Sequence, residues 1–204
     1  MFSGLIHEVT QILSFSNGVL SLKSAHKPKI GDSIAVNGAC LTAIALFKGG
    51  FSAQMSAHTQ AHIALENYQA GQRVHVELAL KAGDRFDGHF VQGHIDGVGV
   101  VKSVRKGESQ VDIAIKASPA ILELCIPKGS IAIDGVSLTL AGVQNDSFSL
   151  VIIPHTFKNT LFNSYKPGRR VNIESDMLVR AVAHLNKRQN PLSWAVCDSL
   201  VMGY

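Results

Sequence analysis

The sequence predicts a mainly β protein made of two tandem, homologous β-barrels followed by a C-terminal helix. Three observations lead to this prediction. The chain repeats itself, apolar residues alternate with a period of two inside each copy, and turn residues recur every eight to twelve residues. A period of two is that of a strand with one buried face, and short strands joined by frequent turns are typical of small barrels that are closed or nearly closed.

The internal repeat is visible in two stretches. GDSIAVNGACLT at 31–42 returns as KGSIAIDGVSLT at 128–139. With a shift of 97 residues, 33–79 align on 130–176 without a gap, and 15 of the aligned pairs are identical. Repeats of this size indicate a duplicated domain rather than a solenoid, which needs three or more short units.

The upstream part of each copy sets the domain boundaries. SGLI at 3–6 matches QGHI at 92–95 with a shift of 89, so the second copy carries about eight more residues, located around 105–125. We therefore predict domains at 1–88 and 89–176.

Composition indicates an ordinary globular protein and argues against several classes. Of 204 residues, 46% are hydrophobic and 17% are charged, which suffices for two cores. No apolar run approaches the roughly 18 residues of a membrane span, and the start, MFSGLIHEVTQ, does not resemble a signal peptide. We expect a cytoplasmic protein without membrane contact.

The cysteines and the basic residues argue against two further classes. Three cysteines lie far apart, with no CxxC spacing, so we expect neither a disulfide framework nor a bound metal. The net charge of +4 is modest, and the basic run KPGRR at 166–170 is interpreted as a solvated turn, so no nucleic-acid partner is expected.

Each copy also predicts particular elements. RVHVELAL at 73–80 and RVNIES at 170–175 alternate apolar and polar residues as half-buried strands do. A short helix is expected after each HT dipeptide, at about 59–65 and 156–163, with Thr59 or Thr156 as the N-cap.

The tail from 177 to 204 has no counterpart inside the first repeat and is predicted to be helical. Its first part, 177–187, places apolar residues on one helical face; they are Met177, Leu178, Ala181, Val182 and Leu185. Docking of this face on the same chain and the joining of subunits both remain open. Residues 193–204, with Trp194, Val196, Leu200 and Val201, predict a further short helix.

Some repeated polar residues are candidates for a site. The elements GxI, [CS]LT and HT would converge in a barrel and could line a small-molecule pocket, although a hairpin with a buried leucine explains them equally. Cys40 is either a small buried residue or a nucleophile. His89 and His94 lie five apart, which argues against a shared metal on one strand and leaves proton transfer open. Asp134 and Asp176 differ from their counterparts in the first copy.

Six motifs in order give the chain a resemblance to the riboflavin synthase family. They are MFSGLI, GDSIAVNGACLT, GDRFDGHFVQGHIDG, KGSIAIDGVSLT, IPHT and VNIESD, and together they span nearly the whole chain. The resemblance implies two six-stranded Greek-key barrels and a homotrimer assembled through the C-terminal helices. It also implies a dismutation of two molecules of 6,7-dimethyl-8-ribityllumazine to riboflavin and 5-amino-6-ribitylaminouracil, with no cofactor or metal. Association with lumazine synthase occurs in some relatives.

The resemblance also implies a set of site residues. The first pocket would be lined by Gly4, Leu5, Ile6, Cys40, Leu41, Thr42, Gln54, Met55, Ser56, Ala57, His58 and Thr59. The second would use Gly93, His94, Ile95, Ser137, Leu138, Thr139, Ile153, Pro154, His155, Thr156, Phe157 and Lys158, with Lys128 reaching a ligand held by another subunit. Positions tied to catalysis or ligand contact are Ser33, Cys40, His89, His94, Asp134, Ser137 and Asp176.

The first barrel departs from the family pattern at three positions. His58 replaces a usual glutamate, Ile63 a usual threonine, and Leu78 a usual arginine. A neutral histidine accepts a hydrogen bond through one nitrogen only, so ligand affinity or its pH dependence would differ in this pocket.

Two alternatives to catalysis follow. A relative that binds lumazine or flavin as a non-catalytic carrier would share the fold, but such a relative would be expected to lose the second GHID and SLT elements, which are intact here. An oligonucleotide-binding barrel would need an aromatic stacking face, and aromatic residues make up only 6% of the chain.

Overall fold

Two closed antiparallel barrels form the protein, whose structure is a computed structural model describing residues 1–189. The strands of the first repeat are β1 (Glu8–Ser16), β2 (Val19–Lys23), β3 (Ser33–Val36), β4 (Ala39–Phe47), β5 (Gly50–Gln54) and β6 (Arg73–Leu78). Those of the second repeat are β7 (Gly97–Lys106), β8 (Val111–Lys116), β9 (Ser130–Ile133), β10 (Val136–Val143), β11 (Ser147–Ile152) and β12 (Arg170–Ser175).

Both barrels have the same strand order. The first closes as β1-β2-β5-β4-β3-β6 and the second as β7-β8-β11-β10-β9-β12. The predicted pair of six-stranded barrels is therefore confirmed, and the duplicated sequence has produced a duplicated topology.

Four helices are described, and the first and third of them lie at equivalent places in the two repeats. They are α1 (Ala57–His62), α2 (Pro119–Leu122), α3 (Pro154–Asn159) and α4 (Met177–Gln189), and a single 3₁₀ turn follows both α1 (Leu65–Tyr68) and α3 (Leu161–Ser164). Helix α2 lies in the longer part of the second copy and has no equivalent in the first.

The predicted N-caps were wrong. Helix α1 begins two residues before Thr59 because Ser56 is the cap, with its hydroxyl accepting a hydrogen bond from the Thr59 amide at 3.0 Å. Helix α3 begins at Pro154, a residue that suits the first helical position because it has no amide hydrogen to satisfy.

Helix α4 confirms the predicted C-terminal helix. The Asp176 carboxylate caps it by accepting a hydrogen bond from the Leu178 amide at 2.8 Å. Leu178, Val182 and Leu185 each remain more than half exposed, so no other part of residues 1–189 covers this apolar face. The expected second helix, with Trp194, Val196, Leu200 and Val201, lies outside the described residues, as does the rest of the tail beyond 189. Among the described helices, none is long and apolar enough to cross a membrane.

Strands β6 and β12 are buried on both faces, which the alternating pattern did not predict. Val74 and Val76 fill the first barrel, yet the polar residues His75 and Glu77 between them are 1% exposed. The same holds for Asn172 and Glu174 on β12. The polar faces of these strands lie at the contact between the two barrels, so their polarity marks an interface rather than a solvated surface.

His75 bonds the first barrel to the second. Its Nε2 accepts a hydrogen bond from the Leu161 amide at 2.8 Å, and its Nδ1 lies 2.9 Å from the Asp134 carbonyl oxygen. Since one ring nitrogen accepts and the other faces an acceptor, the imidazole is neutral with its proton on Nδ1. Burial lowers the pKa of His75 to about 4.

Asn172 makes the equivalent contacts in the opposite direction. Its Nδ2 donates to the Asn37 carbonyl oxygen at 2.8 Å, and its Oδ1 accepts from the Ala64 amide at 2.7 Å. Asn172 occupies the position in the second repeat that His75 occupies in the first. The two side chains thus form a reciprocal pair of contacts that fixes the barrels relative to each other.

Candidate functional site

The segment leading into each repeat crosses over to the barrel of the other repeat. We call residues 3–6 and 92–95 the first and second lead-in segments. The Cys40 amide donates to the Gly93 carbonyl oxygen at 2.9 Å, and the Ser137 amide donates to the Gly4 carbonyl oxygen at 2.8 Å. Each SLT or CLT motif therefore lies against the lead-in segment of the opposite repeat.

Glycine is required at both crossing points. Gly4 and Gly93 have φ values of +80° and +78°, a region that side chains other than glycine adopt at a cost. A Cβ atom on Gly93 would lie 2.5 Å from Cβ of Cys40, and one on Gly4 would lie 2.6 Å from Cβ of Ser137. The absence of a side chain is what allows the two backbones to approach.

A buried carboxylate holds each lead-in segment. Glu77 accepts hydrogen bonds from the Ser3 amide at 2.7 Å and the Gly4 amide at 3.1 Å. Glu174 accepts from the Gln92 amide at 2.7 Å and the Gly93 amide at 2.9 Å. Burial raises the pKa of both groups, that of Glu174 to about 7. The sequence analysis assigned no role to Glu77 and Glu174. The signal that could have indicated one is that the two aligned positions carry the same residue in both copies.

The first pocket is a cavity of about 330 Å³ beside Cys40, a size that suits a small molecule. It is lined by Cys40, His58, Thr59, His62, Ile63, Gly93, His94 and Ile95. Cys40, His58 and Thr59 were expected here. Gly93, His94 and Ile95 were predicted for the second pocket, and that assignment was wrong.

The physical reason for this correction is the crossover. Residues 79–96 connect the barrels, and the second lead-in segment at their end returns to the first barrel. Gly4, at the equivalent place in the first copy, lies against Ser137. Gly4, Leu5 and Ile6 therefore belong with the second barrel, where Ile6 packs against the core.

His62 is a pocket residue that sequence reasoning missed. It lies one helical turn after His58 on α1, and the two rings are 4.3 Å apart between centroids. The His62 Nδ1 lies 2.8 Å from the His58 carbonyl oxygen. The spacing of four residues after a predicted site residue was the signal for this placement. Within residues 1–189, no group of three or more His, Cys, Asp or Glu side chains is arranged to hold a metal ion.

Other residues predicted for the first pocket have different positions. The side chains of Leu41 and Met55 are at most 2% exposed and belong to the first barrel core, so only their main-chain atoms remain for ligand contact. Ser56 caps α1, and Gln54 donates to the Gly18 carbonyl oxygen at 3.2 Å. Thr42 and Ala57 are exposed.

Around Ser137, a second group of polar side chains comes together. His89 Nδ1 lies 2.7 Å from Ser137 Oγ, while the buried His89 Nε2 has no partner among the described residues. Burial lowers the pKa of His89, and the charge of the Asp176 carboxylate opposes that shift. The fold thus brings together three residues that are distant in sequence. The His89 imidazole has the Ser137 hydroxyl as its partner, the Asp176 carboxylate nearby, and one ring nitrogen without a partner among the described residues.

The remaining residues predicted for the second pocket are mostly accessible. Thr139, Ile153, Pro154, His155 and Lys158 are exposed, whereas Leu138, Thr156 and Phe157 are half-buried; Leu5, which was predicted for the first pocket, is also exposed. Lys128 is exposed on the loop before β9, with a φ of +65°. Most side chains of this second site are thus open to solvent within residues 1–189.

Two of the predicted catalytic positions lie elsewhere. Ser33 is half-buried and borders a separate cavity of about 340 Å³ near Lys29 and Lys81, which shares no residue with the first pocket. Asp134 has no exposed surface. Its carboxylate accepts from the Asn172 amide at 2.7 Å and from the Tyr165 hydroxyl, and Arg169 lies 3.9 Å away. The structure therefore places Asp134 at the contact between the barrels, where it has a structural role, and its catalytic role stays a prediction.

Replacing Asp134 with asparagine tests this assignment. We expect the free energy of unfolding to fall by about 1–3 kcal/mol, because Tyr165 and Arg169 lose a charged partner. We expect activity of the folded variant to be unchanged. Urea denaturation and an activity assay on the same sample separate the two roles, since a catalytic carboxylate would give an inactive protein of normal stability.

Comparisons with known proteins agree on one family. The lumazine binding domain matches twice, at residues 3–79 and 92–176. The chain is 35% identical to riboflavin synthase of Bacillus subtilis over 96% of this chain and 97% of that protein. It is 38% identical to riboflavin synthase of Photobacterium phosphoreum, covering 91% of this chain and 88% of that protein.

Solved structures show the same fold. The crystal structure of LumP complexed with riboflavin superposes with a TM-score of 0.79 at 19% identity, covering 86% of this chain and 99% of that chain. LumP complexed with 6,7-dimethyl-8-(1'-D-ribityl) lumazine gives a TM-score of 0.73 over the same shares. At this identity the likeness concerns the fold alone.

Proposed function

The chain belongs to the riboflavin synthase family, and from that premise we propose that it converts two molecules of 6,7-dimethyl-8-ribityllumazine into riboflavin and 5-amino-6-ribitylaminouracil. The observation that carries the proposal is the reciprocal crossing of the lead-in segments. Gly93 faces Cys40 in one barrel and Gly4 faces Ser137 in the other. A reaction between two molecules of one compound needs two related binding sites, and a duplicated barrel supplies them.

The reaction class is a transfer of four carbon atoms between identical substrates. One lumazine gives up the unit and becomes the diaminouracil product, and the other receives it and becomes riboflavin, so the atoms balance without an oxidant or a reductant. Holding the two molecules in register removes translational and rotational entropy from the barrier, an advantage of about 7–11 kcal/mol for well-aligned reactants. This reasoning requires no cofactor.

The residues are proposed to divide the chemistry between the two sites. Cys40, or a water molecule beside it, adds to the electrophilic ring of the lumazine in the first pocket, and His94 takes up the proton that the nucleophile releases. In the second site, His89 moves the methyl proton while Ser137 and Asp176 orient the ligand and the imidazole. The crossover of the lead-in segments supports the assignment of these two histidines to different sites.

The direct test mixes the purified protein with the lumazine and follows riboflavin fluorescence without any added cofactor. Conversion is expected for the parent protein. For Cys40→Ala, we expect turnover to fall at least tenfold if the thiol is the nucleophile, and unchanged turnover would assign that step to water. Cys125→Ala is the matched control, because burial raises the pKa of the Cys125 thiol to about 11 and keeps it unreactive. Full rates for both His89→Ala and His94→Ala would remove the proton-transfer roles.

The second candidate function is a non-catalytic lumazine or flavin carrier. The departures of the first barrel from the family pattern at His58, Ile63 and Leu78 favour it. Saturable lumazine binding without riboflavin formation in the same assay would support this function and exclude catalysis.

The assembly is proposed to be a homotrimer. The uncovered face of α4, with Leu178, Val182 and Leu185, would pack between subunits. The open second site of one subunit would then face the first pocket of its neighbour, and Lys128 would reach the neighbour's ligand. Sedimentation equilibrium should give three times the chain mass, and a monomer would contradict the arrangement. Co-purification would test association with lumazine synthase, and cell fractionation would test the expected cytoplasmic location.

A further inference from the structure

Arg180 connects the C-terminal helix to the second lead-in segment. Its Nη1 donates to Asp96 Oδ1 at 2.8 Å, and its Nη2 donates to Gln92 Oε1 at 2.8 Å. The same Nη2 lies 3.6 Å from Glu174 Oε1. One guanidinium in the first turns of α4 thus engages both ends of residues 92–96, and it is only 22% exposed.

The groups that Arg180 engages also fix the segment from the barrel side. Glu174 accepts the Gln92 and Gly93 amides, and Asp96 Oδ2 accepts the Ser175 amide at 2.7 Å. Gly93 in turn accepts the amide of Cys40. A continuous series of hydrogen bonds therefore runs from helix α4 through residues 92–96 to the wall of the first pocket.

The first repeat contains no equivalent of this connection. The counterpart of Asp96 is His7, whose Nδ1 accepts the Leu78 amide at 3.1 Å. The counterpart of Glu174 is Glu77, which makes no ion pair within residues 1–189. Helix α4 also has no counterpart after the first barrel. Arg180 of α4 therefore holds the lead-in segment beside Cys40. It makes no such contact with the lead-in segment beside Ser137.

We propose that Arg180 is a positioning residue that makes ligand binding in the first pocket depend on the docked C-terminal helix, while the lead-in segment of the second site has no such contact. The inference rests on the proposed function, because it concerns the lumazine site beside Cys40. Gly93, His94 and Ile95 line that pocket and lie between Gln92 and Asp96, the two residues to which Arg180 donates. An assembly joined through α4 would thereby control one of its two sites selectively.

Removing the guanidinium loosens the segment for two reasons. The donors to Asp96 and Gln92 are lost, and hydrogen bonds to charged groups are among the stronger ones. In addition, Glu174 is buried with its pKa near 7, and among the charged groups facing it, Arg180 favours the carboxylate while Asp96 opposes it. Without Arg180 the carboxylate takes up a proton more readily and accepts the Gln92 and Gly93 amides less strongly.

The experiment measures occupancy of the first pocket separately from turnover. The Cys40 thiol lines that pocket, so lumazine bound there should slow its alkylation by iodoacetamide, as followed by peptide mass spectrometry. We expect Arg180→Met to raise the lumazine concentration for half-maximal protection about tenfold or more. A lumazine titration completed before appreciable turnover should show one weakened and one unchanged site per chain. Arg180→Lys should restore much of the protection, because an ammonium retains the charge beside Glu174.

Two controls make the result specific. Lys187→Met removes another cation of α4, which pairs with Glu123 at 3.2 Å on the surface, and should leave protection unchanged. Asp96→Asn removes the charged partner of Arg180 and weakens the same contact. This variant replaces Arg180→Met in the experiment if Arg180→Met does not fold. Equal protection in parent and Arg180→Met, or equal weakening of both sites, would overturn the inference. If lumazine fails to protect Cys40 in the parent protein, the proposed function fails instead.

Discussion

Replacing Gly93 with alanine is expected to lower the free energy of unfolding by about 2–5 kcal/mol. Two effects add. A side chain is disfavoured at a φ of +78°, and its Cβ would meet Cβ of Cys40 at 2.5 Å and the Cys40 amide nitrogen at 2.8 Å. The second lead-in segment must then move away from the first barrel, so we also expect the affinity of the first pocket for lumazine to fall. Urea denaturation measures the first effect and lumazine titration the second.

The matched control is Gly71→Ala. Gly71 has a φ of +87°, but a Cβ built there meets no atom within 4 Å. Only the conformational cost of about 1–2 kcal/mol should appear, with binding unchanged. Equal losses at the two positions would show that the close approach of Gly93 to Cys40 does not matter.

Acidification from pH 6.5 to pH 4 is expected to remove about 3 kcal/mol of stability through His75 alone. The folded protein holds this imidazole neutral with a pKa of about 4, whereas an exposed histidine has a pKa near 6.5. Between these values the unfolded chain binds a proton that the folded chain does not. Stability therefore falls as the pH falls through this range and levels off below it.

His75→Asn isolates this contribution. The second repeat has an asparagine, Asn172, at the equivalent position, and it makes the equivalent contacts. An asparagine at position 75 therefore retains a donor for the Asp134 carbonyl and an acceptor for the Leu161 amide. We expect the variant to fold with stability within about 1 kcal/mol of the parent at pH 7.

The difference between parent and variant is the quantity to measure. Asp134 and Glu174, whose raised pKa values favour folding at low pH, act on both proteins and cancel. Denaturation at several pH values should show that the parent loses stability relative to the variant as the pH falls. Curves that remain parallel would mean that His75 is not held neutral by the fold.

Local sequence patterns were sufficient for the barrels. The NG and DG turns predicted between strands place Asn37 and Asp134 at φ values of +41° and +45°, next to a glycine in each case. Val74 and Val76 alternate on β6 and fill the barrel as their period indicates. These features depend on residues within a few positions of each other, so each copy carries them completely.

The polar residues of the same strands show where local patterns fail. His75 and Asn172 read as the solvated face of a half-buried strand, yet both are buried and bond to the opposite barrel. In the sequence, Asp134 was a candidate site residue that differs from its counterpart in the first copy. In the structure, its carboxylate accepts a hydrogen bond from Tyr165 and lies near Arg169. A polar face turned to water and one turned to a complementary polar surface have the same periodicity, so alternation alone does not distinguish them.

The sequence by itself determined that two similar barrels follow one another, which residues face each core, and which motifs belong to a site. Only the tertiary structure decided that each lead-in segment serves the opposite barrel, so that Gly93 and His94 join Cys40 while Gly4 joins Ser137. The physical reason is that the two copies present nearly the same docking surface. From the sequence alone, a duplicated lead-in segment fits its own barrel and the other barrel equally well. Which barrel it contacts depends on long-range contacts, such as those of residues 79–96, Glu77 and Glu174, that form only in the folded chain.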